Sequence, residues 1–167
     1  CDTAKVPVTV TSVPDVPVVT EVPVTVPEDS TITICQTITD PDVGDTFTAS
    51  LCSQPAHGLA GTPTITGNQV CVQYTPTANY NGKDTVCIIV CDQTGRCDTA
   101  KVPVTVTPVL DPPVVTETPV IVPEDSTITI CQTITDPDVG DTFTATLCSQ
   151  PAHGVAGTPT ITGNQVC

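Results

Sequence analysis

An all-β protein made of tandem copies of one small sandwich is what this sequence predicts, and three observations predict it. Laid against itself at an offset of 96, the chain matches at 64 of 71 positions, so Cys1–Cys71 returns as Cys97–Cys167. A period of that size is one small domain, not a rung of a solenoid. Thr and Val alternate in short runs broken by Pro, Gly, Asn and Asp, and no stretch shows a helical period. Six Cys fall in each period while aromatic residues are only 2% of the chain. That combination marks a thin core of Val, Ile, Leu and Ala held by covalent staples.

The period divides the chain into residues 1–11, the terminal G strand of a preceding repeat; 12–107, a complete repeat; and 108–167, strands A to E of the next. Strand A runs through Val18–Val26, with Pro17, Pro23 and Pro27 all of one parity, as an edge strand tolerates. Strand B is Thr31–Thr39 and strand C is Thr46–Cys52. Strands D and E form a hairpin about Gly67-Asn68, a dipeptide that accepts the left-handed turn. Strand F is Asp84–Cys91, and after the turn Asp92–Arg96 strand G is Cys97–Val106. Seven short antiparallel strands in one period describe an immunoglobulin-like sandwich.

Side-chain parity then addresses the cysteines. Ile32, Ile34 and Ile38 share the inner face of B, and Phe47, Ala49 and Leu51 that of C. Val70, Val72 and Tyr74 do so on E, Val86, Ile88 and Val90 on F, and Ala100, Val102, Val104 and Val106 on G. Every cysteine is of the opposite parity and so lies on an outer face. Outer faces of the two sheets stand more than ~10 Å apart, beyond disulfide reach, so each bond must join neighbours within one sheet. With B beside E, and F between C and G, the pairs are Cys35–Cys71, Cys52–Cys87 and Cys91–Cys97, and Cys131–Cys167 in the following copy. The partners of Cys1 and Cys148 fall outside this window. Disulfides in such number belong to an oxidising compartment, and no CxxC or CxxH pair suggests zinc instead.

Lys and Arg total 4 against 18 Asp and Glu, a formal charge of -14, which argues against nucleic acid and anionic lipid as partners. The longest aliphatic run, Ile88-Ile89-Val90, is far too short to insert in a membrane.

Several segments resemble the cadherin-like and bacterial immunoglobulin-like tandem repeats of giant bacterial surface adhesins, such as the gliding-type adhesins of Bacteroidota. They are Val26-Pro27-Glu28-Asp29-Ser30, Asp40-Pro41-Asp42-Val43-Gly44-Asp45, Ser53-Gln54-Pro55-Ala56-His57-Gly58, and Tyr74-Thr75-Pro76 followed by Asn79-Tyr80-Asn81-Gly82-Lys83-Asp84. The chain departs from that pattern in its cysteine density and in carrying Cys87 and Ile89 on strand F. The resemblance implies an extracellular array on a bacterial cell surface. In it, neighbouring identical repeats build a stalk or filament, and a tip domain outside this window contacts a surface glycan or a host or substrate.

Acidic clusters are the candidates for chemistry. Glu28 and Asp29 begin strand B and Asp40 ends it, some 30 Å away at ~3.3 Å per residue, so they cannot share an ion within one repeat. Across a junction, Glu28 and Asp29 are expected to meet linker Asp111 and the Asp136, Asp138, Asp141 loop of the following copy. Such a set suits Ca2+, a hard cation that takes six to eight oxygens; the plainer reading is an Asx-rich turn. His57 and His153 each sit in a Pro-Ala-His-Gly turn with no nucleophile or orienting acid evident, so no catalytic residue is assigned and no enzyme is expected. Lys101 has outward parity, unlike a lysine of a buried crosslink. The expected function is a structural repeat module. The alternative is a repeat that itself binds glycan or protein, with Tyr80 its one candidate aromatic.

Overall fold

The computed structural model describes residues 1–11 and 13–167, and the chain separates into two compact units, Cys1–Val109 and Leu110–Cys167. Among the described residues there are thirteen strands, and no helix is long and apolar enough to cross a membrane.

Unit 1 is a sandwich of two sheets. One places β3 (Ile32–Thr39) between β1 (Val18–Val19) and β7 (Gln69–Pro76), with β5 (Gly58–Ala60) and β6 (Thr64–Thr66) both pairing with β7. The other runs β2 (Val24–Pro27), β9 (Cys97–Thr107), β8 (Gly82–Cys91), β4 (Thr48–Ser53). Between them lies the core predicted by parity: Ile34, Val70, Tyr74, Val86, Ile88, Val90, Val102 and Val104 are 0% exposed. Phe47, Ala49 and Leu51 are only partly buried, because β4 is a sheet edge.

The expected single strand A is two strands in different sheets. β1 pairs antiparallel with β3, whereas β2 pairs parallel with β9. The chain changes sheets at Val22-Pro23, where Gln36 substitutes for a strand: its Nε2 donates to the Val22 carbonyl and its Oε1 accepts the Val22 N–H, each at 2.9 Å. Gln132 makes the same paired bonds to Thr118 in the second copy, at 3.0 Å.

Residues 1–11, expected as a G strand, join no ladder. A G strand exists only against an F strand, and β8 is already paired along its length with β9. Unit 2 makes the same point. It forms β10 (Val114–Val115), β11 (Gln132–Thr135), β12 (Ile161–Thr162) and β13 (Gln165–Val166) in one sheet, in the order β10-β11-β13-β12. The expected strand C is missing: residues 142–148, nearly identical to the β4 region, are unpaired. That strand needs the partner that β8 provides in unit 1, and residues 108–167 hold no counterpart of it. Val122 is accordingly 44% exposed, where its equivalent Val26 is 2% exposed against β9.

Candidate functional site

Three features of the sandwich carry chemistry: outward cysteines, an acidic pole and a buried carboxylate under the His57 turn.

The structure forms Cys35–Cys71 between β3 and β7, Cys52–Cys87 between β4 and β8, Cys91–Cys97 between β8 and β9, and Cys131–Cys167 in unit 2. Cys35 and Cys71 are directly opposed in their ladder, as are Cys91 and Cys97; Cys52 lies at a β-bulge between Leu51 and Ser53. Cys1 and Cys148 are exposed thiols. The outer faces of both sheets carry Thr, Ser, Gln and these disulfides, with Lys83 and Lys101 the only charges on the β8 and β9 outer faces and no acid there. The acids cluster instead in turns and at the poles.

At the pole made by the loop after β3, the Asp42 N–H donates to Asp40 Oδ1 at 2.9 Å, and the Asp15 N–H donates to Asp42 Oδ2 at 2.6 Å. Unit 2 repeats this with Asp138 on Asp136 at 2.9 Å and Asp111 on Asp138 at 2.7 Å. Asp136, Asp138 and Asp141 thus bring one carboxylate oxygen each within 4.8 Å of the others, and Asp40, Asp45 and Asp92 do the same in unit 1. Asp40 Oδ2 and Asp136 Oδ2 are buried without a hydrogen-bond partner among the described residues. Burial raises the pKa of Asp45 above the usual carboxylate value, and the charges of Asp40, Asp42 and Asp92 raise it further. Asp92 goes the other way. Burial pushes it up, but the Arg96 N–H, the Thr94 hydroxyl and N–H, and the Gly95 N–H outweigh burial and hold it low.

Of the residues expected to hold an ion, Asp136, Asp138 and Asp141 therefore converge, and Asp111 joins them through its N–H. Glu28 and Asp29 belong to unit 1 and have other employment. Glu28 is 2% exposed, its Oε1 accepting the Val109 N–H at 2.7 Å. Asp29 is a left-handed turn residue (φ 58°) whose Oδ1 accepts the Asn79 N–H at 3.1 Å. Asp125 repeats that turn at φ 59°.

Beneath the His57 turn, Asp84 is 8% exposed. Its Oδ2 accepts the Tyr74 hydroxyl at 2.8 Å and the His57 N–H at 3.0 Å; its Oδ1 accepts the N–H groups of Ala56 at 3.1 Å and Thr85 at 2.8 Å. Burial raises the Tyr74 pKa, and the Asp84 carboxylate raises it further. The His57 ring stacks on Tyr80 with centroids 4.1 Å apart, and the Tyr80 hydroxyl donates to the Lys83 carbonyl at 2.8 Å. Asp84 is thus a fastening for a turn.

Asp92 and Gln36 did not stand out as motifs, and Asp84 did so only as the end of the Asn79–Asp84 segment, with no role assigned. Their signal was parity: each is a polar residue at an inward-facing position of a strand or of its continuation. A side chain buried there must find every partner inside the protein, and these do.

A two-sheet sandwich with this strand order and the chain's sheet-switching first strand defines an immunoglobulin-like domain. The chain belongs to the bacterial Ig domain family, whose model matches residues 14–105. No curated protein matches it. Solved structures similar to it include an endo-fucoidan hydrolase of glycoside hydrolase family 107, at 17% identity over 56% of this chain and 14% of that one (TM-score 0.44). Domains 4 and 5 of the S-layer protein SbsC are similar at 18% identity over 56% of this chain and 46% of that one (TM-score 0.36), and the Escherichia coli adhesin FdeC at 16% over 85% and 52% (TM-score 0.36). The chain spans less than half the length of the first two. At such identities the likeness is one of fold.

Proposed function

We propose that this bead is a structural module repeated in tandem to make the extended, disulfide-stapled stalk of an extracellular bacterial adhesin, displayed on the cell surface, with a separate tip domain doing the binding. The observation that carries this reading is the echo itself. Of the seven differences between copies, five lie between positions 12 and 25, in the linker and first strand, and none touches a cysteine or a fully buried core residue. Disulfides support an oxidising, extracytoplasmic setting. Mechanically, Cys52–Cys87 and Cys91–Cys97 tie β4, β8 and β9 into one sheet that cannot be peeled strand by strand. Arrays of two, four and eight repeats measured by small-angle scattering test it: maximum dimension should grow linearly, by about 35–45 Å per repeat given an 11-residue strand at ~3.3 Å per residue. A dimension that saturates with repeat number would sink the stalk.

Calcium at the acidic pole is part of the proposal, with Asp136, Asp138, Asp141 and Asp111 as its ligand set in unit 2. The buried oxygens of Asp40 and Asp136 support it, since a desolvated carboxylate oxygen lacking a donor suits a hard cation. Chelation should then lower the melting temperature and calcium restore it. A second reading makes the bead itself a binder. The His57–Tyr80 stack beside Lys83 favours an acidic glycan, and a glycan array run with the bead alone separates the two readings.

A further inference from the structure

The sheet edges of unit 1 are not alike. β2 follows Pro23 and ends on Pro27. β1 is two residues long, and the chain beyond it is held by the Gln36 side chain at Val22. β5 is three residues long and capped by Gln54: the Ala60 N–H donates to Gln54 Oε1 at 2.8 Å, and Gln54 Nε2 donates to the Ala60 carbonyl at 3.0 Å. β6 is three residues long and follows Pro63. Proline, brevity and a covering group each blunt an edge against pairing with another chain. β4 has none of them. Its six residues include no proline and no charge, and among the described residues its backbone bonds to β8 alone. A bulge between Leu51 and Ser53 closes one end, leaving a regular ladder from Thr48 to Leu51.

Charge and shape select what fits along that edge. Residues 46–82 contain none of the chain's Asp, Glu, Lys or Arg, although its formal charge is -14. They supply β4, β5 and β6, and β4 lies against β6 on one flank of the sandwich. Two copies repel one another at their acidic poles and meet with least repulsion on this flank. A charged partner finds nothing there to recruit it. Phe47, Ala49 and Leu51 face inward yet are only partly buried, because no strand lies beyond β4. An edge is complementary to its own copy when the two run antiparallel about a two-fold axis. Centred on Ala49, that pairing sets Phe47 opposite Leu51 and Thr48 opposite Ser50 of the second chain. Apolar pairs on the inner face and Thr–Ser hydroxyl pairs on the outer face are both favourable matches. Position 50 is Ser here and Thr146 in the next copy, so the hydroxyl is kept.

We propose that β4 is a homotypic docking edge: in two chains running in opposite directions, residues 47–51 pair antiparallel about Ala49 and join two β2-β9-β8-β4 sheets into one. The Cys52–Cys87 bond ties the edge strand to β8, so the template is ordered before contact. One such contact is weak. Five paired residues span about 17 Å and bury far less than the roughly 1,200 Å² of a stable complex. The strength of the association, though not its geometry, therefore rests on the tandem reading, in which each repeat offers the same edge again.

Sedimentation equilibrium of arrays of two, four and eight repeats, each bead with its disulfides formed, tests the edge. The apparent dissociation constant for self-association should fall at least about tenfold at each doubling of repeat number. Two double variants in every repeat test the pairing, both at exposed outer-face positions where urea midpoints should match the parent. Thr48→Lys with Ser50→Lys places lysines opposite lysines and should leave the eight-repeat array monomeric, although it lowers the net negative charge. Thr48→Lys with Ser50→Glu places each lysine opposite a glutamate of the second chain and should self-associate as the parent does. An eight-repeat parent that stays monomeric, an affinity unchanged with repeat number, or Lys/Lys arrays that associate like the parent overturns the docking edge. Lys/Glu arrays that stay monomeric overturn the register about Ala49. Scattering on the monomeric Lys/Lys arrays reads the growth of length by itself, so failure of the stalk is told apart from failure of the edge.

Discussion

Replacing Asp84 by Ala should unfold unit 1 far more easily than any other single loss of a surface-adjacent charge. The carboxylate accepts four N–H or O–H groups, of which those of Tyr74, His57 and Ala56 come from other elements. Ala56 and His57 are exposed residues whose N–H groups recover water, so each loss costs little beyond about 1 kcal/mol. Tyr74 is 0% exposed, and its hydroxyl keeps only the His57 carbonyl at 3.4 Å; its desolvation adds about 1–3 kcal/mol. The expected loss is therefore about 3–5 kcal/mol, a melting shift of at least about 12 °C for a domain of this size. Urea unfolding with disulfides intact, followed by tyrosine fluorescence, is the assay. The chain's two tyrosines, Tyr74 and Tyr80, both lie in unit 1, so the signal reports on that unit alone. Tyr74→Phe removes one of the four bonds and should cost about 1–2 kcal/mol, with the double variant less than additive. A loss below about 1 kcal/mol for Asp84→Ala, or a larger one for Tyr74→Phe, would refute the keystone argument.

Three further outcomes are expected. Replacing Cys35 and Cys71 together by Ser opens a loop of sequence separation 36 and should cost about 4 kcal/mol, against about 2 for Cys91 and Cys97 with separation 6, both read from urea midpoints. Gly58→Ala should destabilise by about 1–3 kcal/mol, since a Cβ there would stand 2.5 Å from Tyr74 Cε2 and 2.7 Å from the Thr75 carbonyl. Gly61→Ala, whose nearest atom is 3.8 Å away, is the control that should melt like the parent. In a pH series the two shifted aspartates act with opposite sign. Asp92, held low, contributes stability above the ordinary carboxylate pKa that is lost as pH falls through its folded value; Asp45, pushed up, is protonated more readily when folded, so acidification relieves it. Asp45→Asn should therefore raise the neutral-pH melting temperature and Asp92→Asn lower it, and the reverse order would contradict the geometry of the pole.

How much of the molecule was legible depended on whether a feature is local. Inward parity on β3, β7, β8 and β9 can be read from alternation alone, because a strand has a period of two wherever it is. Buried polar residues hid in the same pattern: Gln36, Asp84 and Asp92 occupy inward positions, and a stricter rule that every such residue demands internal partners would have found them. The division of the first strand between sheets was not legible, since Val18–Val26 reads as one Val-rich, Pro-bearing edge strand and only the competing claims of β3 and β9 divide it. Nor was it legible that Glu28 would be claimed by Val109, because both residues are far apart in sequence and meet through the parallel pairing of β2 with β9.

By itself, the sequence determined the repeat, the all-β class, the inner faces of strands B, C, E, F and G, and the outward position of the cysteines on them. These follow from composition and from periodicities that need no partner. The tertiary structure alone decided which strands exist. Cys97–Thr107 is a buried strand while the identical Cys1–Thr11 is exposed chain, and Thr48–Ser53 is paired while its counterpart in unit 2 is not. The physical reason is that a β-strand satisfies its N–H and C=O groups only through a neighbour. Sequence can nominate a strand, but a partner must be present to make it one.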